Sequence, residues 1–411
     1  MAETAKWTVM AYLAGDNNLS DAGEKDIAEM RAVGSTPDVN IVVEFDRIGD
    51  AHETQRYHIQ AGGQSELVES LGETDCGDPR VLLDFVGWAA QRFPAERYAL
   101  ILWNHGSGWE PSEMERVARS AGANDFFGRE ASERASTPLR KLLFHPALET
   151  ILGLPSPLER AICSDDGSGH SLDTIELGEV LRQTATILGQ PLDLLGMDAC
   201  LMSNLEVAYQ VRGSVRYIVA SEESEPNDGW PYDVVLSGLV GAPDRATPDL
   251  AAHIVSAYVQ SYVERGYSGP VTQSALDLSR LGALTAPLDD LATVLVDGMR
   301  DAALEIWSAQ RHSARFAHNT LWDIGNFCEE LAKRTRHETV RPAAQGVRRA
   351  LEQGPENFVI AEAHHGVSVA RCTGATIYLL PPLMDISRYY ADLNYAKNHR
   401  WLEMLEAYHR A

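Results

Sequence analysis

Cysteine is scarce in this 411-residue chain: only Cys76, Cys163, Cys200, Cys328 and Cys372 occur. The number is odd, the spacings are irregular and no CxxC pair is present. The sequence therefore offers neither a disulfide framework nor a cysteine zinc site, and it suits a reducing compartment. No apolar run is long enough to span a bilayer. No basic segment followed by an apolar one precedes the strand-like residues at Trp7, so a cytoplasmic protein with no membrane partner is expected. GxGxxG and P-loop patterns are missing, which argues against a nucleotide site. Positive charge is also short. There are 35 Lys and Arg against 59 Asp and Glu, a net charge of −24. Such a surface repels nucleic acid and anionic lipid and attracts basic peptide segments. No internal repeat and no low-complexity tract appear.

What is present is organised around Leu192 to Tyr232, LDLLGMDACLMSNLEVAYQVRGSVRYIVASEESEPNDGWPY. An apolar run from Leu192 to Met197 ends in Asp198-Ala199-Cys200. A segment with Leu201, Leu205 and Ala208 at helical spacing follows. A second apolar run, Tyr217 to Ala220, then opens into a polar loop. Strand, sharp turn, helix, strand and loop are the expected order. Cys200 would sit between strand and helix, where the helix dipole favours a thiolate. It would also lie at the carboxyl edge of a parallel sheet, where ligands bind. A buried structural cysteine is the competing reading. Earlier, Tyr98 to Trp103 forms another apolar run, ending in Asn104-His105-Gly106-Ser107-Gly108-Trp109. A His and a Cys at the ends of two strands can meet at one sheet edge, which is what thiol catalysis needs. Gly106 lets its N–H approach a substrate carbonyl closely.

These pieces resemble the clostripain family of cysteine endopeptidases, of the caspase-like clan. The matching stretches are WTVMAYLAGDNNL at Trp7–Leu19, Gly77 to Pro79, YALILWNHGSGW at Tyr98–Trp109 and CSDDGSGHSL at Cys163–Leu172. DLLGMDACLMSNLEVAY at Asp193–Tyr209 and VASEESEPNDGWPY at Val219–Tyr232 complete the set. Weaker matches are SALDLSRL at Ser274–Leu281 and TIYLLP at Thr376–Pro381. The resemblance implies a caspase-like α/β/α sandwich with a mostly parallel central sheet. A catalytic domain over residues 1–240 and a mainly helical C-terminal lobe with a few strands over 241–411 are expected. The late strands could return to the first sheet.

Read in order, Trp7–Leu13 is the first strand, and Asp16 and Asn17 either border the site or form a turn. Asn40–Asp46 is a strand, and Thr54–Ile59 with Ser65–Ser70 reads as a hairpin. Asp78-Pro79 starts a helix, and Thr174–Leu188 is another. Pro248–Val263, Leu284–Ser308, Asn319–Lys333, Val340–Gln353 and Asn398–His409 read as helices. Val271–Leu278, Asn357–Glu362, Val367–Ala370 and Ala375–Leu380 read as strands. Between the His and Cys motifs, Glu110 to Pro157 is an exposed loop rich in Arg, Ser, Ala and Gly. Asp165, Asp166 and Asp173 flank glycines and suggest calcium, which some relatives need. Their spacing does not match an EF-hand, and turn and cap residues are the alternative. No cofactor is otherwise required.

The chemistry expected is a Cys200–His105 dyad, with the N–H groups of Gly106 and Cys200 as oxyanion donors. The resemblance assigns Asp198 and Asp228 to the basic side chain preceding the cut, with Trp230 as a wall. A helix cap for Asp198 and a turn role for Asp228 compete. Cleavage after Arg, less often Lys, in protein or peptide substrates follows. Relatives processed between the two motifs imply a zymogen cut in cis or by an upstream protease. Arg116 and Arg119 are further candidates, but Arg129, Arg134, Arg140 and Lys141 are favoured for the cut. A solvated loop is the plain alternative. A non-catalytic caspase-like scaffold, or a binding module using the same sheet edge, is the runner-up.

Overall fold

The computed structural model describes residues 4–48, 53–60, 65–109, 162–163, 171–314, 316, 320–381 and 384–411. Arg116, Arg119, Arg129, Arg134, Arg140, Lys141, Asp165 and Asp166 lie outside these. The strands are β1 (Ala5–Gly15), β2 (Val39–Arg47), β3 (Gln55–Ile59), β4 (Ser65–Ser70), β5 (Ala95–Trp103) and β6 (Leu192–Asp198). After them come β7 (Val215–Ala220), β8 (Val271–Asp277), β9 (Leu321–Asp323), β10 (Val359–His365) and β11 (Thr376–Tyr378). Nine of them form one sheet in the order β10-β8-β7-β6-β5-β1-β2-β3-β4. Its five central strands, β7, β6, β5, β1 and β2, are parallel, and its outer strands are antiparallel.

Alternation along each strand divides the sheet's side chains between two cores. Met10, Tyr12, Leu100, Leu102, Leu195 and Met197 face one side, with the helices Pro79–Arg92, Thr174–Leu188, Leu205–Val211 and Leu281–His312. Val9, Ala11, Leu13, Ile101, Trp103 and Leu194 face the other, with Ser20–Val33, Tyr232–Val240 and Thr247–Glu264. Burial on both faces explains why these strands read as nearly continuous apolar runs. The result is the expected α/β/α sandwich, with a mainly helical C-terminal region.

That region is not detached from the sheet. β8 and β10 are its outer strands, while β9 and β11 pair separately. Residues 376–378 reach the segment just after Cys200: Thr376 N–H donates to Ser203 O at 3.0 Å, and Tyr378 N–H donates to Glu206 Oε1 at 3.1 Å. Two expectations need correcting. Val367–Ala370 is a turn rather than a strand, with Val367 97% exposed. Residues 321–323 form a strand, and the helix starts at Ile324, because Asp323 caps it through Asn326 N–H. Among the described residues, no helix is long and apolar enough to cross a membrane.

Candidate active site

Register brings the two motifs together. β5 and β6 are neighbours, with Trp103 opposite Asp198. His105 and Cys200 each lie two residues beyond that pair. Asn104 N–H donates to Asp198 O at 3.3 Å, continuing the ladder past the strand ends. The turn at Gly106 then rests on the Cys200 backbone. A Cβ on Gly106 would lie 2.4 Å from Cys200 O and 3.1 Å from Cys200 N. No larger residue fits there, and the Gly106 N–H donates toward the Cys200 thiol.

The segment after Cys200 is not the expected helix. Leu201 has φ +66°, a left-handed conformation costly for a branched side chain. Leu201 N–H donates to Glu223 O at 3.2 Å, and Ser203 N–H to Ser221 O at 2.8 Å. The helix begins only at Leu205, capped by Asn204. The nucleophile candidate therefore gains nothing from a helix start. Burial dominates instead and pushes its thiol up to about 11. Cys200 is 3% exposed and His105 4% exposed. Burial lowers the His105 imidazole to about 3. Both groups are neutral in this closed arrangement. His105 Nε2 lies 3.0 Å from Asn18 Oδ1, an acceptor. A ring protonated on Nε2 donates to that oxygen, and Nδ1 is then the basic nitrogen. Asp16 is buried beside this turn, and Asn17 closes it by donating to Ala14 O and accepting from Leu19 N–H.

A cluster of buried acids adjoins the thiol. Asp198 Oδ2 accepts from Tyr232 OH at 2.8 Å and from Trp230 N–H at 3.2 Å. Its carboxyl is hydrogen-bonded to that of Glu225, and burial raises both above the usual carboxylate range. Asp26, bonded by Trp103 Nε1–H at 2.7 Å, is raised to about 9, first by burial and then by Asp198. Tyr258 and Tyr262 complete the apolar-walled surroundings. Three buried carboxyls thus stand together, and burial of such groups without a cation is costly.

Asp228 lies at the rim of this group, one residue before Gly229, which packs on Asp198. It is half-exposed, and Lys25 at 2.7 Å and Arg265 at 3.2 Å hold it. The hydrogen bond from Lys25 is the first cause that lowers its carboxyl below the ordinary range. Trp230 is a core side chain rather than an open wall: it is fully buried, and its ring packs against Gly196, where a Cβ would lie 2.9 Å away. Its contribution at the pocket is its backbone N–H. Glu225, Asp26 and Asn18 were missed from sequence. Glu225 stood in a run with Glu222 and Glu223, and nothing in the pattern singled it out.

Of the calcium candidates, Asp173 caps the Thr174–Leu188 helix in a reciprocal box with Glu176. Among the described residues, Glu222, Asp323 and Cys372 form one group able to hold a metal ion. Asp323 already accepts from Asn326 N–H and Thr373 Oγ1–H, and it is hydrogen-bonded to Glu222.

A thiol and an imidazole at adjacent strand ends of a parallel α/β/α sheet, with a glycine N–H on the sulfur, are the groups that cysteine peptidase chemistry uses. The chain belongs to the clostripain family, whose sequence pattern, peptidase family C11, matches residues 11–133 and 151–408. It is 29% identical over 264 residues to clostripain of Hathewaya histolytica, which covers 57% of this chain and 42% of that protein. The chain thus spans less than half the length of that curated relative. The fold is similar to a secreted C11 cysteine protease from Bacteroides thetaiotaomicron in complex with an irreversible peptide inhibitor. That match has a TM-score of 0.65 and 19% identity, and covers 99% of this chain and 100% of that one. It is also similar to an inactive zymogen C11 protease from Parabacteroides distasonis. There the TM-score is 0.63 with 19% identity, over 97% of this chain and 99% of that one.

Proposed function

We propose that the chain is a cysteine endopeptidase that cuts after Arg, less often Lys, through a Cys200–His105 dyad. The observation that carries this reading is the buried acid group of Asp198, Glu225 and Asp26 beside Cys200. A guanidinium satisfies such a pocket, and its planar fork suits two carboxylates better than an ammonium does. In the proposed reaction His105 takes the thiol proton as Sγ attacks the carbonyl carbon. The N–H groups of Gly106 and Cys200 hold the oxyanion. His105 then passes the proton to the leaving amine as the C–N bond breaks. Water, activated by the same ring, hydrolyses the acyl-enzyme. Every group used is a side chain or backbone N–H, so no metal is called for.

The closed site supports a zymogen. Cys200 and His105 are buried and neutral, so substrate entry and ion-pair formation both require a rearrangement. A cut among Arg129, Arg134, Arg140 and Lys141 is the proposed trigger, in cis or by an upstream protease. The small, odd number of cysteines and the lack of a CxxC pair support a cytoplasmic site of action. The B. thetaiotaomicron relative is secreted, and cell fractionation decides between the two. The function is tested by incubating the activated protein, and its Cys200→Ala variant, with a mixed peptide library. New termini after Arg, produced only with Cys200 present, are expected. Cleavage without residue preference, or equal cleavage by the variant, would contradict it.

A further inference from the structure

Glu225 has two contacts that meet at the nucleophile. Its backbone N–H donates to Cys200 Sγ at 3.2 Å, and its side chain is hydrogen-bonded to Asp198. Two carboxyls can share a hydrogen bond only if one carries a proton. Among the described residues, and apart from the contact with Asp198, Glu225 Oε2 has no partner and Oε1 is met by Gln273 Nε2–H at 3.4 Å. Around it, Gln273 Oε1 and Tyr258 OH also have no partner, although both side chains are fully buried. The titratable groups facing Glu225 are Asp198, Tyr258, Tyr262, Tyr232 and Cys200, with Asp26 behind Asp198. The nearby cations, Lys25 and Arg265, are both engaged by Asp228 at the rim. Among the described residues, this group is therefore rich in acceptors and short of donors and positive charge.

We propose that Glu225 is the carboxylate that, with Asp198, binds the basic side chain preceding the cut. The incoming guanidinium takes the place of the proton the two carboxyls share. The inference rests on the reading of this site as an arginine peptidase. The exchange balances: one carboxyl loses its proton to solvent, and two carboxylates then face one guanidinium. Five N–H donors replace a single O–H, which suits the unpartnered oxygens. Because the Glu225 N–H is bonded to Cys200 Sγ, the residue that reads the cation also touches the nucleophile. Asp228 then contributes from the rim, where Lys25 and Arg265 already offset its charge.

The test compares activated wild type with Glu225→Gln and Glu225→Asp on two peptide amides that differ only in Arg or citrulline before the scissile bond. Citrulline keeps the shape and removes the charge. Glu225→Gln is expected to lower kcat/KM on the Arg peptide about 100-fold, with little change on the citrulline peptide. Glu225→Asp should restore part of the loss. The wild-type Arg-to-citrulline ratio should rise with pH, as the proton competes less with the guanidinium, and the Gln variant should lose that slope. An unchanged ratio in Glu225→Gln would overturn the proposal. So would a parallel loss on both peptides and in iodoacetamide labelling of Cys200, which would make Glu225 a support for the loop. Failure of wild type itself to prefer Arg would instead overturn the arginine reading.

Discussion

Cys200 Sγ accepts a hydrogen bond from the Glu225 backbone N–H at 3.2 Å. The candidate nucleophile is thereby tied to the loop that follows β7, and not to a helix start. The thiol is closed in from two directions, by Gly106 from the β5 edge and by the Glu223–Glu225 segment from the β7 edge. Burial in this cage keeps it protonated.

Gly106→Ala should be damaging, because its Cβ would meet Cys200 O at 2.4 Å. Overpacking of this kind costs about 1–3 kcal/mol. Turnover should fall by ~100-fold or more, since the oxyanion donor moves with the backbone. Wild-type turnover and stability in the variant, measured by peptide hydrolysis and urea unfolding, would contradict the contact.

The meeting of His105 and Cys200 at one sheet edge was legible in the sequence because parallel strands announce themselves. Tyr98–Trp103 and Leu192–Met197 are apolar runs buried on both faces, and each ends in its chemical motif. The sheet edge follows from that. The helix after Cys200 was misread because Leu201, Leu205 and Ala208 keep helical spacing, while Leu201 itself is left-handed at φ +66°. A branched residue in that conformation leaves no local signature. The burial of Glu225 against Asp198 was also hidden. Asp228 and Glu225 are three residues apart, and only tertiary packing decides which one turns inward. The Asn18 contact to His105 depends on the β1 turn lying beside β5, a neighbour relation that spacing does not reveal.

Asn18→Ala should lower kcat roughly tenfold without abolishing it, because the ring loses the acceptor that fixes its tautomer. Asn18→Asp should shift the acidic limb of the pH profile upward, since a carboxylate beside the ring favours imidazolium. A profile identical to wild type in both variants would remove Asn18 from the site.

Asp198→Asn should lower kcat/KM on Arg substrates by about two orders of magnitude, since truncating a desolvated charge pair costs roughly 2–5 kcal/mol. Asp228→Asn should cost much less. Its carboxylate is exposed and already paired with Lys25 and Arg265, and such pairs contribute about 0–1 kcal/mol. Equal losses in the two variants would contradict the pocket described here.

Asp26→Asn should stabilise the fold at neutral pH. Asp26 is raised to about 9 in the folded chain, against roughly 3.9 when unfolded. Between those values the native state binds the extra proton, so its stability falls as pH rises through the window. The variant removes that loss while keeping an acceptor for Trp103 Nε1–H. A gain of ~1–2 kcal/mol at pH 7.5, absent near pH 3, is expected from urea unfolding. A gain of equal size at both pH values would contradict the assignment of the proton.

Cys200 is expected to be the group that bonds to substrate. The direct measurement is intact-mass and peptide-map analysis of the activated protein after reaction with a peptidyl-arginine chloromethyl ketone. One adduct per chain, on Cys200, is the predicted result, with none in Cys200→Ala and a large loss of labelling rate in His105→Ala, because residues acting as a unit fail together. An adduct on Cys76, Cys163, Cys328 or Cys372, or the same labelling in Cys200→Ala as in wild type, would contradict it.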